Sequence, residues 1–260
     1  IYALSVVDPA SPSNFYSSNA GTHLVSVEVV IDNQSSEPIR VNPLNATLID
    51  NYGILHSTEL GASAELDQIA TLSLYPQERV RGWISFEVED GSIPARLKYE
   101  IEMFSRRELE VSLEQLPAEL LWEPITPTLV APAIGDVNSV SGYSLSVEDI
   151  VDPAPPSMFF TPTSDTRLIA IQILIRNESA TGPLSVNPLY AYLVDNLGFV
   201  YTAELGATEL GQIDTVDLAS GEGVRGYIAF QVPNEFTPLY VRYSTDFWET
   251  DQPLIAGLAR

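Results

Sequence analysis

Cysteine is absent from the 260 residues, which removes disulfides, thiolate catalysis, Cys-bound zinc and iron–sulfur chemistry together. Basic residues are scarce: 12 Lys and Arg stand against 35 Asp and Glu, for a net charge of -23. Neutralising a phosphate backbone takes clustered cations that this chain lacks, so nucleic acid and anionic membranes are excluded as expected partners. Only two histidines occur, His23 and His56, and Lys98 is the single lysine. The longest largely apolar run, Leu168 to Ile175, falls far short of the roughly 20 residues that a membrane span needs, so no direct membrane insertion is expected. The first residue is Ile1, not Met, and the expectation is an extracytoplasmic protein, secreted or at the cell surface, whose signal or anchor is not present in this chain. A cysteine-free cytosolic protein is the alternative on composition alone.

What is present is a duplication. Sliding the chain on itself by about 144 residues aligns its halves. Val41-Asn42-Pro43-Leu44 recurs as Val186-Asn187-Pro188-Leu189, and Asp50-Asn51-Tyr52-Gly53 as Asp195-Asn196-Leu197-Gly198. Glu59-Leu60-Gly61-Ala62 recurs as Glu204-Leu205-Gly206-Ala207, and Val80-Arg81-Gly82 as Val224-Arg225-Gly226. At the start, Tyr2-Ala3-Leu4-Ser5-Val6 answers Tyr143-Ser144-Leu145-Ser146-Val147, with an insertion in the second copy before Val151-Asp152-Pro153 matches Val7-Asp8-Pro9.

The repeated segments are rich in β-branched residues and show no helical stripe, so they read as strands. Asp-Asn-x-Gly between two such runs is a hairpin signal. Short strands with frequent turns, about seven per copy, indicate an all-β protein of two tandem immunoglobulin-like antiparallel β-sandwiches. The expected boundaries are residues 1–114 for copy 1, 115–142 for a proline-rich, partly docked linker, 143–248 for copy 2 and 249–260 for a C-terminal tail. Leu109 to Leu113 alternates like a closing strand, although Ser105 to Glu108 could instead cap a helix, and no counterpart of this stretch is evident after copy 2.

Four features in order carry a family resemblance: a Val-rich or Ile-rich strand ending in Asn33 or Asn177, the Asn-Pro-Leu block, the Asp-Asn-x-Gly hairpin, and the run through Arg81-Gly82 or Arg225-Gly226 to Phe86 or Phe230. Each half resembles the immunoglobulin-like DUF4352 domain, of the telokin-like or MPT63-like group found in bacterial lipoproteins and secreted proteins. The resemblance implies a fold and no general chemistry.

Catalytic constellations are thin. A Ser-His-Asp arrangement needs a histidine, and neither His23 nor His56 recurs, since Arg167 and Tyr201 take their places. Paired carboxylates could serve carbohydrate hydrolysis, but so acidic a chain makes chance pairs unavoidable. The acidic residues found in both copies fit turns, apart from Glu59 and Glu204, for which no turn rule asks. Calcium takes six to eight oxygens, and Asp50, Asn51, Glu59, Asp195, Asn196 and Glu204 are the candidate ligands to inspect. Arg81 and Arg225 are expected to pair with a carboxylate on a neighbouring strand. Asn33, Asn45 and Asn177 head glycosylation-type triplets. Phe15-Tyr16 and Met158-Phe159-Phe160 are either exposed binding tips or rings folded back over the sandwich end.

The expected function is a non-enzymatic, extracytoplasmic binding or structural module without a required cofactor, its partner an unidentified protein or cell-envelope ligand. The alternatives are a carboxylate-dependent hydrolase acting on carbohydrate and a calcium-stabilised, adhesin-like repeat.

Overall fold

In copy 1, β-branched and aromatic runs form strands β1 (Tyr2–Val7), β2 (Thr22–Asp32), β3 (Ile39–Val41), β4 (Ala46–Asp50), β5 (Leu55–Ser57), β6 (Leu72–Leu74), β7 (Arg79–Glu89), β8 (Pro94–Glu100) and β9 (Glu108–Ser112). The computed structural model describes residues 1–63, 67–101, 107–118, 120–127, 131–180, 182–245 and 252–258. One sheet has the order β1-β2-β7, the facing one β5-β4-β8-β9, and β3 pairs with β6 in a two-stranded ribbon. All pairings between these strands are antiparallel. This is the immunoglobulin-like sandwich.

Copy 2 repeats it with β10 (Asn138–Val140), β11 (Tyr143–Val151), β12 (Thr166–Asn177), β13 (Leu184–Val186), β14 (Ala191–Asp195), β15 (Val200–Thr202), β16 (Val216–Leu218), β17 (Gly223–Pro233), β18 (Pro238–Tyr243) and β19 (Leu254–Gly257). Its sheets run β10-β11-β12-β17 and β15-β14-β18-β19, with the ribbon β13-β16. Leu145, Ile171, Ile173 and Phe230 of the first sheet meet Leu193, Val241, Tyr243 and Leu254 of the second in one core. Each such side chain contributes about 1.5–3 kcal/mol by leaving water.

The register corrects the sequence match at the start of each copy. Val7 pairs with Ser26 and Val151 with Ala170, a step of 144 residues on both strands. Ala3 opposite Val29 then corresponds to Val147 opposite Ile173, so the tyrosines of Tyr2 and Tyr143 are not equivalent and no insertion separates the copies here. Both strands carry the same bulge, between Ala3 and Ser5 and between Val147 and Asp149. The tyrosine match aligned letters across a strand whose pairing is three residues out of step with it.

The chain divides into Ile1–Glu123 and Pro124–Arg260, so the expected linker is shared out between the two units. Trp122 stands edge-on against Tyr2, with ring centroids 5.5 Å apart, and under the Arg79 guanidinium at 4.6 Å. Beyond it, the Ile125 N–H donates to the Asn196 carbonyl (2.9 Å), and Asn138–Val140 is a strand paired with β11. The expected tail contains a further strand: β19 pairs with β18 as β9 pairs with β8, and supplies the counterpart that sequence comparison did not find. Tyr243 faces Leu254 where Tyr99 faces Leu109. Residues 249–251 and 259–260 of that tail, and Ser105 and Arg106 of the alternative helix cap, lie outside the described residues; Glu108 itself begins a strand.

Candidate functional site

The hairpin aspartates are held as turn locks. Asp50 is buried, and its carboxylate accepts the N–H groups of Tyr52 (2.9 Å) and Ile54 (2.8 Å), the Ser92 hydroxyl (2.8 Å) and a contact from His56 Nε2 (3.2 Å). Burial alone would raise its pKa; the bonds from Ile54, Ser92, His56 and Tyr52 together outweigh it and hold the carboxyl down at about 2. Asp195 repeats the arrangement with the N–H groups of Leu197 (2.9 Å) and Phe199 (2.8 Å) and with the Tyr201 hydroxyl (3.1 Å). His56 and Tyr201 therefore fill one role, a ring donor to the turn carboxylate.

A second exchange of this kind occurs at the same end of the sandwich, on the β7–β8 and β17–β18 turns. His23 lies between Asp8 (2.9 Å) and Asp90 (3.3 Å). Its counterpart Arg167 grips Asp152 with two nitrogens (2.7 and 3.0 Å) and donates to the carbonyls of Pro233, Asn234 and Phe236. Sequence comparison aligned the two positions, and the structure shows that unlike side chains there serve one role, a cation on the aspartate before the proline.

The six candidate calcium ligands are dispersed. Asn51 spends its Oδ1 on the Ile93 N–H (2.8 Å), and the Asn196 backbone is bonded to Thr237 and Ile125. Glu59 and Glu204 sit past the far ends of β5 and β15, bonded through their N–H groups to the carbonyls of Ser85 and Ala229. Strand rise puts each about 15 Å from the turn aspartate of its own hairpin, too far to share an ion. Among the described residues, no three acidic or histidine side chains converge on a metal-sized centre.

The remaining recurrent polar residues have structural partners. Arg81 pairs with Glu28 and Arg225 with Glu148, both at 2.7 Å. These pairs are solvent-exposed on the arginine side, and such contacts are worth at most about 1 kcal/mol. Asn33 and Asn177 are buried, each donating to two carbonyls and accepting the N–H of Ser35 or Ser179, so two of the three glycosylation-type asparagines are enclosed, and Asn45 is half-buried. Gly82 and Gly226 are required by close approach. A Cβ on either would meet a backbone oxygen, of Asp67 or Gly211, at 3.0 Å and a side-chain carbon of Ile69 or Ile213 at 3.0 or 2.9 Å.

The surface feature that repeats without a structural debt is the turn after β1 and β11. Ser13 donates its N–H to the Ala62 carbonyl (2.6 Å), and Ser157 to that of Ala207 (2.8 Å). Each serine hydroxyl accepts the N–H two residues on, from Phe15 or Phe159, at 3.2 Å. The next residue folds inward: Tyr16 packs on the cluster of Ala10, Leu24 and Ala62, and Phe160 on that of Ala154, Leu168 and Ala207. Phe15 and Phe159 point out, at 101% and 89% exposure, as do Met158 and, in the neighbouring turn, Leu60 and Leu205. Of each pair, then, the first ring is exposed and the second is folded back over the sandwich.

In copy 1 the turn is anchored further by Glu87, which accepts the Tyr16 hydroxyl (2.7 Å), the Asn19 N–H (2.6 Å) and the Thr22 hydroxyl. The Thr22 bond, followed by those of Asn19 and Tyr16, holds the Glu87 carboxyl at about 2. A depression beside the equivalent turn of copy 2, lined by Glu204, Leu205, Gln212 and Tyr227 among others, has an empty volume of about 160 Å³. Pockets that enclose small ligands run to roughly 300–1,000 Å³.

Solved structures with which the chain aligns are remote. A putative lipoprotein, YcdA of Bacillus subtilis, aligns at 13% identity and a TM-score of 0.38 over 46% of this chain, which spans only 38% of that one. The YjhA protein of the same organism aligns at 14% identity and 0.38, covering 49% of this chain and 99% of the other. An uncharacterised β-sandwich protein of Clostridium difficile aligns at 13% and 0.32, covering 53% and 100%. No curated protein matches the chain. A family model described as a domain of unknown function (DUF4352) matches residues 2–109 and again 132–253, and the chain therefore belongs to that family as a tandem pair of its domains.

Proposed function

We propose that this chain is a non-enzymatic, extracytoplasmic binding module that engages a protein or cell-envelope ligand through its exposed aromatic turns. The observation that carries this reading is the turn built twice, with Phe15 and Phe159 presented to solvent from backbones pinned at both ends. A ring whose backbone is already fixed loses little entropy on contact, which suits it to anchor an interface. Two such modules on one chain raise avidity for a partner with repeated sites. The occupied lone pairs of Asp50 and Asp195 favour this reading over the calcium alternative.

The test compares wild type with a Phe15→Ala/Phe159→Ala variant for binding to purified bacterial cell envelopes. Neither ring is in a core, so melting should not change. Binding should fall at least tenfold; undiminished binding by a folded double variant would overturn the assignment of the turns.

A further inference from the structure

One Asp-Gly bond occurs in the chain, Asp90-Gly91; every other aspartate and asparagine precedes a residue that carries a side chain. The bond lies at the centre of the β7–β8 turn, which the Ser92 N–H closes on the Glu89 carbonyl (3.0 Å). The Asp90 side chain is 67% exposed. Gly91 is exposed as well, holds φ at 90°, and has nothing within 4 Å of the place where a Cβ would stand. The flanking N–H groups are spent, that of Asp90 on the Gly21 carbonyl (2.9 Å) and that of Ser92 on Glu89. Between them, the Gly91 N–H donates no hydrogen bond among the described residues, and the Asp90 carbonyl on the other side of the same peptide group accepts none.

A backbone nitrogen can attack the side-chain carboxyl of the aspartate before it when the nitrogen is unengaged, when no side chain shields it, and when its peptide group is free to turn towards that carboxyl. The 90–91 peptide meets all three conditions. Its counterpart in copy 2, Asn234-Glu235, does not. Glu235 carries a side chain, Arg167 holds the Asn234 carbonyl (2.6 Å), and the Asn234 side chain is tied to the Ser164 carbonyl (3.1 Å). His23, which stands where Arg167 does, reaches the Asp90 carboxylate (3.3 Å) and leaves the peptide group alone.

We infer that Asp90-Gly91 is a self-modification site of the folded protein, at which the aspartate isomerises through a cyclic imide. The Gly91 nitrogen forms a bond to Asp90 Cγ, the Cγ–O bond of the protonated carboxyl breaks, and the hydroxyl leaves as water with the amide proton. A second water then opens the imide. Addition at Cγ restores aspartate. Addition at the main-chain carbonyl carbon of residue 90 leaves the backbone running through the former side chain, one carbon longer, with a free α-carboxylate. The lengthened turn loses its closure from Ser92 to Glu89, and the new carboxylate, borne directly on Cα, is withdrawn from His23. Ser92 also carries the hydroxyl bonded to Asp50 (2.8 Å), so the change is passed on to the lock of the β4–β5 hairpin.

The test stores the full chain at neutral pH and body temperature for weeks, digests it beside an unstored control, and locates isoaspartate by fragmentation of the peptides in a mass spectrometer. Isoaspartate should accumulate at residue 90 at least tenfold faster than at any other aspartate or asparagine, Asn234 included, by way of an imide lighter by one water. Asp90→Glu keeps a carboxylate for His23 but would have to close a larger ring, and should abolish the product at this position. In the isotope-labelled chain, a second set of His23 and Ser92 signals should grow in step with the isoaspartate fraction. No isoaspartate at residue 90, or an equal rate at Asn234 or elsewhere, would overturn the site. Isoaspartate formed in the urea-unfolded chain but not in the folded one would overturn it too, since the free peptide group belongs to the folded turn.

Discussion

Replacing Asp50 by alanine tests whether the hairpin carboxylate locks a turn or serves an ion. The substitution removes the acceptor of four donors. Tyr52 and Ile54 are exposed, so their N–H groups can turn to water, but Ser92 and His56 are buried and lose a charged acceptor. A hydrogen bond to a charged group is worth about 1.5–3 kcal/mol, and part of that is returned because a carboxylate no longer has to be buried. The net loss should be about 3 kcal/mol, which for a domain of this size lowers the melting temperature by roughly 10 °C. Asp50→Asn keeps one acceptor for the two backbone N–H groups and should lose only about 1 kcal/mol. Scanning calorimetry of the full chain, with and without calcium, measures both. An Asp50→Ala variant within about 0.5 kcal/mol of wild type would refute the lock, as would an Asn variant equally damaged. A melting temperature that calcium raises in wild type but not in Asp50→Ala would show the carboxylate holding an ion, since a ligand bound only to the folded state stabilises it.

Acid should expose the same locks. The folded-state pKa values of Asp50 and Glu87 are depressed to about 2, so their stabilisation is complete above the ordinary carboxylate range and is lost as pH falls from about 4 towards 2. Melts across pH 2–7 should show this loss, and a Glu87→Gln variant should flatten part of it; a wild-type curve level down to pH 2 would contradict the assignment. Gly82→Ala and Gly226→Ala each push a methyl group against a backbone oxygen at 3.0 Å and should cost about 1–3 kcal/mol by urea denaturation, whereas neutral variants would mean the neighbouring segment yields freely.

The sandwich was legible because its strands carry their own signals, β-branched runs bounded by Asn-Pro and Asp-Asn-x-Gly turns, and because the chain states them twice. What escaped depends on pairing across distance. Glu108–Ser112 and Leu254–Gly257 occupy one strand position, yet the first is mostly exposed and the second mostly buried, so beyond the aligned Leu109 and Leu254 their sequences differ. Gly257 is bonded to the Pro132 carbonyl (2.6 Å), a contact that no local pattern announces. The link from Asp50 to Ser92 spans 42 residues, and that from His23 to Asp90 spans 67. Phe15 and Tyr16 differ in fate because only the second reaches the cluster of Ala10, Leu24 and Ala62 and bonds to Glu87, 71 residues away in sequence. Recurrence also marked Asp50 and Glu59 alike, while strand rise along the hairpin between them puts them about 15 Å apart.

The enclosure of Asn33 and Asn177 bears on how this protein is made. Glycan transfer in a eukaryotic secretory pathway acts on Asn-x-Ser/Thr in a chain that has not yet folded. In the finished sandwich each of these amides is spent on one loop carbonyl and one strand carbonyl, with no room beside it for a sugar. Modification there would therefore compete with folding instead of decorating its product. A glycosylating host would divide each molecule's fate at these two of its three such asparagines, and material from a host without that machinery would not face the choice.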